Sequence, residues 1–182
     1  MTVESVIKMA ATLIGIEEPV TAYLEGQDAE GKKAVDALLG CLHLVEMELA
    51  SDAFPILEEC DVVSTGKVFF DELPNAPLRI VSVKDAQGAS VEYRVFPMYV
   101  SLPSGQYTLV YHYLPKRRDV GDVLAFAGGM TQAMLAYGVA ARYCFIVGAY
   151  EEAAVWDAKY KQAIAAAKPL PKGLAMRARE WN

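Results

Sequence analysis

Residues that bind metals or carry out covalent chemistry are scarce in this chain. His43 and His112 are its two histidines, and Cys41, Cys60 and Cys144 its three cysteines. The cysteines are odd in number and far apart, without CxxC or Cys/His ligand spacing, which argues against a disulfide framework or a zinc site. Buried reduced thiols are the expectation. His43 and Glu46 stand three apart on a helical stretch, but nothing completes an HExxH or a two-His-one-carboxylate set, so no metal and no cofactor is expected. Ser64, Ser82, Ser90, Ser101 and Ser104 fall in strands or turns, none in a GxSxG elbow. The acid pairs Glu17-Glu18, Glu58-Glu59 and Glu151-Glu152 suit helix ends and solvent better than a catalytic dyad. No catalytic residue is assigned, and the chain is expected not to be an enzyme.

Positive charge is also in deficit. The formal net charge is -6, which excludes a broad phosphate-gripping face, because such a grip needs Lys and Arg to release counterions. Lys116-Arg117-Arg118 is the one basic cluster before the tail, and three charges read as a solvated loop at the edge of a sheet. The opening apolar run lacks the basic flank of a signal peptide, with Glu4 before it and Glu17 and Glu18 after it. Residues 124–148 lack acids altogether and hold one charged side chain, Arg142. At about 25 residues that run is long enough to span a bilayer. Gln132 and Arg142 would be costly there, and its Ala and Gly content makes it only shallowly hydrophobic. The run is therefore expected to be the central helix of a protein core, with Gly128, Gly129, Ala136 and Gly138 admitting close neighbours. Arg142 then either is buried beside a carboxylate or marks the face turned to solvent or to another subunit.

What is present is a change of grammar along the chain. Val3, Val6, Ile7, Ala10, Ala11, Leu13 and Ile14 recur at helical spacing, with Gly15 placed to stop the helix. After a connection containing Pro19 and Gly26, Asp28 is placed to cap a second helix whose core face uses Val35, Leu38, Leu39, Leu42, Val45, Met47 and Leu49, ending before Pro55. From about Asp61 β-branched and aromatic residues take over. Strands are expected in DVVSTGKVFF, LRIVSVKD, VEYRVF, PMYVSL and QYTLVYHYL. Helical spacing returns in residues 124–148 and again from about Ala149 to Ala167. The expected fold is α+β: a mainly helical bundle of about four helices, residues 1–58 and 118–168, carrying an inserted small antiparallel sheet or open barrel at 60–116, with a tail at 169–182. Tyr99, Tyr107, Tyr111 and Tyr113 are expected on an exposed edge of that insertion. Arg177, Arg179 and Trp181 give the tail the composition of an interface anchor.

The order of these segments resembles the head-to-tail adaptor proteins of tailed bacteriophages, including the tail tubular protein A type. The resemblance rests on LIGIEEPVTAYLEG, AEGKKAVDALLGCLHLVEMELASDAFP, YTLVYHYLPKRRDVGD, FAGGMTQAMLAYGVAARYCFIVG and YEEAAVWDAKYKQAIAAAK, and on the Arg-Trp tail. It implies a virion structural protein, made in the host cytoplasm and placed at the head-tail junction, that forms a homo-oligomeric ring of about twelve copies beneath the portal protein. Such a ring surrounds the DNA channel without sequence-specific binding and gives the downstream tail protein a place to attach. The resemblance assigns Arg177, Arg179 and Trp181 to the portal, and Tyr99, Tyr107, Tyr111 and Tyr113 are candidate contacts between subunits. The competing expectations are a bacterial protein-interaction domain of the same layout, a membrane-associated protein using residues 124–148, and an enzyme whose pocket no motif announces.

Overall fold

A computed structural model describes residues 1–26, 31–124 and 130–168. Helix α1, Val3–Leu13, starts where the Thr2 hydroxyl accepts the Ser5 N–H at 3.3 Å, and it buries Val3, Val6, Ile7, Ala10 and Ala11. Two more of its early N–H groups find partners far along the chain: Val3 donates to the Asp122 carbonyl at 3.0 Å and Glu4 to Val120 at 3.1 Å. A β-bridge between Thr2 and Val123 completes this seam.

Helix α2, Glu17–Leu24, occupies the stretch expected to be a connection. Pro19 is its third residue, where the missing N–H has no intrahelical partner to lose, and Glu17 and Glu18 sit favourably at the positive end of the helix dipole. Helix α3, Lys32–Glu48, follows from Gly31, where a Cβ would overlap the Pro19 carbonyl oxygen. The capping role expected of Asp28 lies outside the described residues. A π-helical turn, Leu49–Ala53, ends α3 ahead of Pro55. After the β region come α4, Gln132–Ile146, capped by Thr131 accepting the Met134 N–H, and α5, Tyr150–Ala167, reached through Gly148 at φ +84°.

The expected bundle of about four helices with a single sheet or open barrel is therefore corrected. Among the described residues there are five α-helices and two three-stranded antiparallel sheets. One sheet has the order β1-β6-β3, built from Ile56–Ser64, Gly105–Tyr113 and Pro77–Asp85. The other has the order β2-β5-β4, built from Lys67–Phe69, Tyr99–Ser101 and Arg94–Val95. The stretch DVVSTGKVFF divides because Ser64 folds the chain on itself: its hydroxyl accepts the Gly66 N–H at 3.0 Å and donates to the Leu102 carbonyl at 3.2 Å. Gly66, at φ +116°, completes the bend and sends the next residues into the second sheet.

Two hydrophobic cores result. The helical core gathers Val6, Ile7, Leu38, Leu42, Val45 and Leu135 among others, and the smaller β core gathers Val68, Val83, Val100, Leu109 and Tyr111. Gly138 of α4 lies so close to its neighbours that a Cβ there would come within 2.9 Å of the Tyr160 ring and 3.0 Å of Val45. This is the close packing expected of it; Gly128 and Gly129 lie outside the described residues. Among those residues no helix is long and apolar enough to cross a membrane. The described helix within residues 124–148 has 15 residues.

Candidate functional site

Uncovered apolar side chains gather in two places, and each follows from local geometry. The first is a groove where α4 turns into α5. Gly148 ends α4 early enough to leave Phe145, Ile146 and Val147 in solvent, 66%, 62% and 58% exposed. Tyr150 opens α5 with its ring edge-on to Phe145 at 5.5 Å. With Leu44 of α3, Phe145, Ile146 and Tyr150 border a hollow of about 460 Å³, floored by Gly138, Ala141 and Ala153. Arg142 stands at its rim and forms an ion pair with Glu48 from the last turn of α3. The arginine is half-buried, so the pair joins two helices at the surface and is no buried charge inside the core.

The second surface is one face of the β2-β5-β4 sheet. Phe69 lies opposite Tyr99, and the Phe96 N–H donates to the Tyr99 carbonyl, so three aromatic side chains form a row across the strands. Phe96 stacks on Tyr99 at 4.7 Å, Phe69 tilts against it at 5.7 Å, and Lys67 places its ammonium 4.6 Å from the Tyr99 ring. Phe69, Phe96 and Met98 are exposed.

The tyrosines expected on an exposed edge are not on one. Tyr107, Tyr111 and Tyr113 belong to β6 and Tyr99 to β5, each the middle strand of its sheet. Tyr111 is fully buried, with its hydroxyl donating to Glu58 Oε2 at 2.9 Å. Alternation along QYTLVYHYL does not tell which strand of a sheet it occupies, and the pairing partners decide that. Arg177, Arg179 and Trp181 lie outside the described residues.

His43 and Glu46 both present buried side-chain atoms without hydrogen-bond partners. Glu46 is fully buried with neither oxygen hydrogen-bonded, while the Nδ1 of half-buried His43 also has no partner. Arg118 places its Nε 3.9 Å from Glu46 Oε1. Burial pushes the Glu46 carboxyl up to about 7, with Arg118 opposing the shift and Asp122 adding to it. Among the described residues no cluster of three or more His, Cys, Asp and Glu is arranged to hold a metal. The three thiols are free, and burial raises the pKa of each. The role of Glu46 was visible in its spacing, four residues after Leu42 on the core-facing stripe of α3, and its polar type masked it. Arg118, taken for a solvated loop residue, is the side chain that answers it.

No family model matches the chain, and no curated protein matches it.

Proposed function

We propose that this chain is a non-enzymatic virion structural protein, a head-to-tail adaptor of a tailed bacteriophage that assembles as a ring below the portal protein, surrounds the DNA channel and receives the downstream tail protein. The observation that supports it most is the pair of unlike apolar surfaces, one on the helices and one on the β region. Two different patches suit heterologous contacts, which close into a ring when the rotation between copies allows it. The sequence resemblance set out above supplies the phage context. The acidic balance suits a channel through which DNA must slide without being held.

The test is co-expression with the portal protein encoded beside it, followed by affinity capture on the portal and electron microscopy. A ring of this chain seated on the portal is the expected result. A folded chain that neither binds that portal nor forms rings on it would sink the proposal. Ile146→Asp, which puts a charge into the α4–α5 groove without touching either core, is expected to leave folding intact and to reduce ring formation.

A further inference from the structure

The β2-β5-β4 sheet buries Val68 and Val100 in the β core, so the alternate side chains of its strands point outward. Two rows cross that outer face. Lys67 and Arg94 both pair with Ser101, which gives a row with a cation at each end. The next row is the aromatic one, Phe69 opposite Tyr99 with Phe96 stacked beyond it. Lys67, Arg94, Phe69 and Phe96 are exposed, and among the described residues neither cation is paired with an acid.

The outer face of the β1-β6-β3 sheet carries the complement along β1. Glu59 and Asp61 are exposed there, with exposed Val63 at the next alternate position. Among the described residues neither acid is ion-paired, and Asp61 accepts the Thr108 hydroxyl at 2.8 Å. Asp61, Val63, Gln106 and Thr108 border a hollow of about 410 Å³. The basic side chains of this sheet, Arg79 and Lys84, stand on β3, on the far side of β6, so acid is what a partner meets at β1. In each sheet a charge is followed by an apolar group at the same strand spacing, Lys67 then Phe69 and Asp61 then Val63. The two sets match in step as well as in sign.

The two faces cannot meet within one molecule. Both sheets turn their inner residues, Val68 and Val100 from one and Val83, Leu109 and Tyr111 from the other, to a single core, and their outer faces diverge from it. Made between molecules, the match leaves one face of each kind free at the ends of any row of copies. That is the heterologous contact that closes into a ring.

We propose that the β2-β5-β4 face of one copy packs on the β1 side of the β1-β6-β3 face of the next, with Lys67 and Arg94 against Asp61 and Glu59 and the aromatic row against Val63 and its hollow. The occupant of each face is a second copy of this chain. This inference rests on the ring reading above and names the contact between neighbouring subunits within it.

The experiment uses the full chain, purified for sedimentation up to high concentration and co-expressed with the neighbouring portal protein for electron microscopy of rings. It compares the parent with Lys67→Glu/Arg94→Glu, with Glu59→Lys/Asp61→Lys, with all four changes together, and with an equimolar mixture of the first two variants. Each pair alone sets like charges against each other across the contact, and is expected to weaken self-association by roughly tenfold or more and to abolish rings. The fourfold variant and the mixture, in which every contact again joins opposite charges, are expected to restore both. Unchanged thermal melting reports that each variant is folded. Portal-seated rings that tolerate either reversed pair overturn this contact and leave the ring reading standing. So does a loss that neither the mixture nor the fourfold variant repairs. Loss and rescue seen in sedimentation, with no ring on the portal, keep the contact and remove the ring reading. A parent chain that neither self-associates nor forms rings overturns both.

Discussion

Glu46 in α3 and Tyr111 in β6 are both fully buried, one in the helical core and one in the β core, yet the carboxylate has no hydrogen-bond partner while the phenol donates to Glu58 at 2.9 Å. Glu58 also accepts from Asn75 at 2.8 Å, and the buried Ser64 hydroxyl both donates and accepts. The small β core thus satisfies these polar groups, and Ser64 ties the end of β1 to the residue that follows β5. The larger helical core carries unsatisfied ones, the Glu46 carboxyl and the Tyr160 hydroxyl, at a cost its greater apolar burial has to offset. The difference makes Glu46, whose carboxyl burial pushes up to about 7, a place where pH acts on the helical core.

Variants that break this comparison fall into a clear order of effect. Gly138→Val forces side-chain atoms into space held by the Tyr160 ring and Val45, and is expected to cost about 2–3 kcal/mol in thermal or denaturant unfolding. Glu46→Leu should work the other way, by an amount that depends on pH. Below its ordinary value of 4.5 the carboxyl is protonated both folded and unfolded. Between 4.5 and about 7 the unfolded chain gives up the proton and the folded chain keeps it, so native stability falls as pH rises through that window. The cost is complete above about 7. The leucine variant should therefore be more stable than the parent by about 2 kcal/mol at pH 8, with a much smaller gain at pH 5. Parallel melting curves that show the same difference at both pH values would remove Glu46 from this role. Tyr111→Phe removes one hydrogen bond from the β core while Glu58 keeps Asn75, and should cost about 1 kcal/mol with no dependence on pH between 5 and 8. Arg142→Ala breaks a half-exposed pair with Glu48 and should change stability by less than about 1 kcal/mol, screened further by salt.

The helices whose apolar residues keep to the 3.6-residue period were legible from spacing alone. α1 begins with Val3 and stops just ahead of Gly15, α3 keeps Val35, Leu38, Leu42 and Val45 inward, and α5 runs to Ala167 as its pattern implied. α2 was not legible, because Pro19 reads as a breaker until its place in a first turn is known. The strands were visible as strands, but their division into two sheets was not. That depends on one serine closing a bend onto Leu102, a contact between residues far apart in the chain. The site fared worse for the same reason. Whether a tyrosine is exposed depends on the neighbours of its strand, and whether a glutamate is buried unpaired depends on how a distant connector, here the one holding Arg118, comes to lie across it.

That connector leaves β6 and is stitched to the start of α1 by the bridge between Thr2 and Val123. The partners of this seam are about 120 residues apart, a separation that makes contact formation slow to initiate. α1 also buries its apolar stripe against α4, so during synthesis that face has only α2 and α3 to cover it until the whole β region and α4 have followed. The β region, whose paired strands are close neighbours in sequence by comparison, has everything it needs earlier. Translation therefore favours a molecule that completes its middle before it joins its two ends.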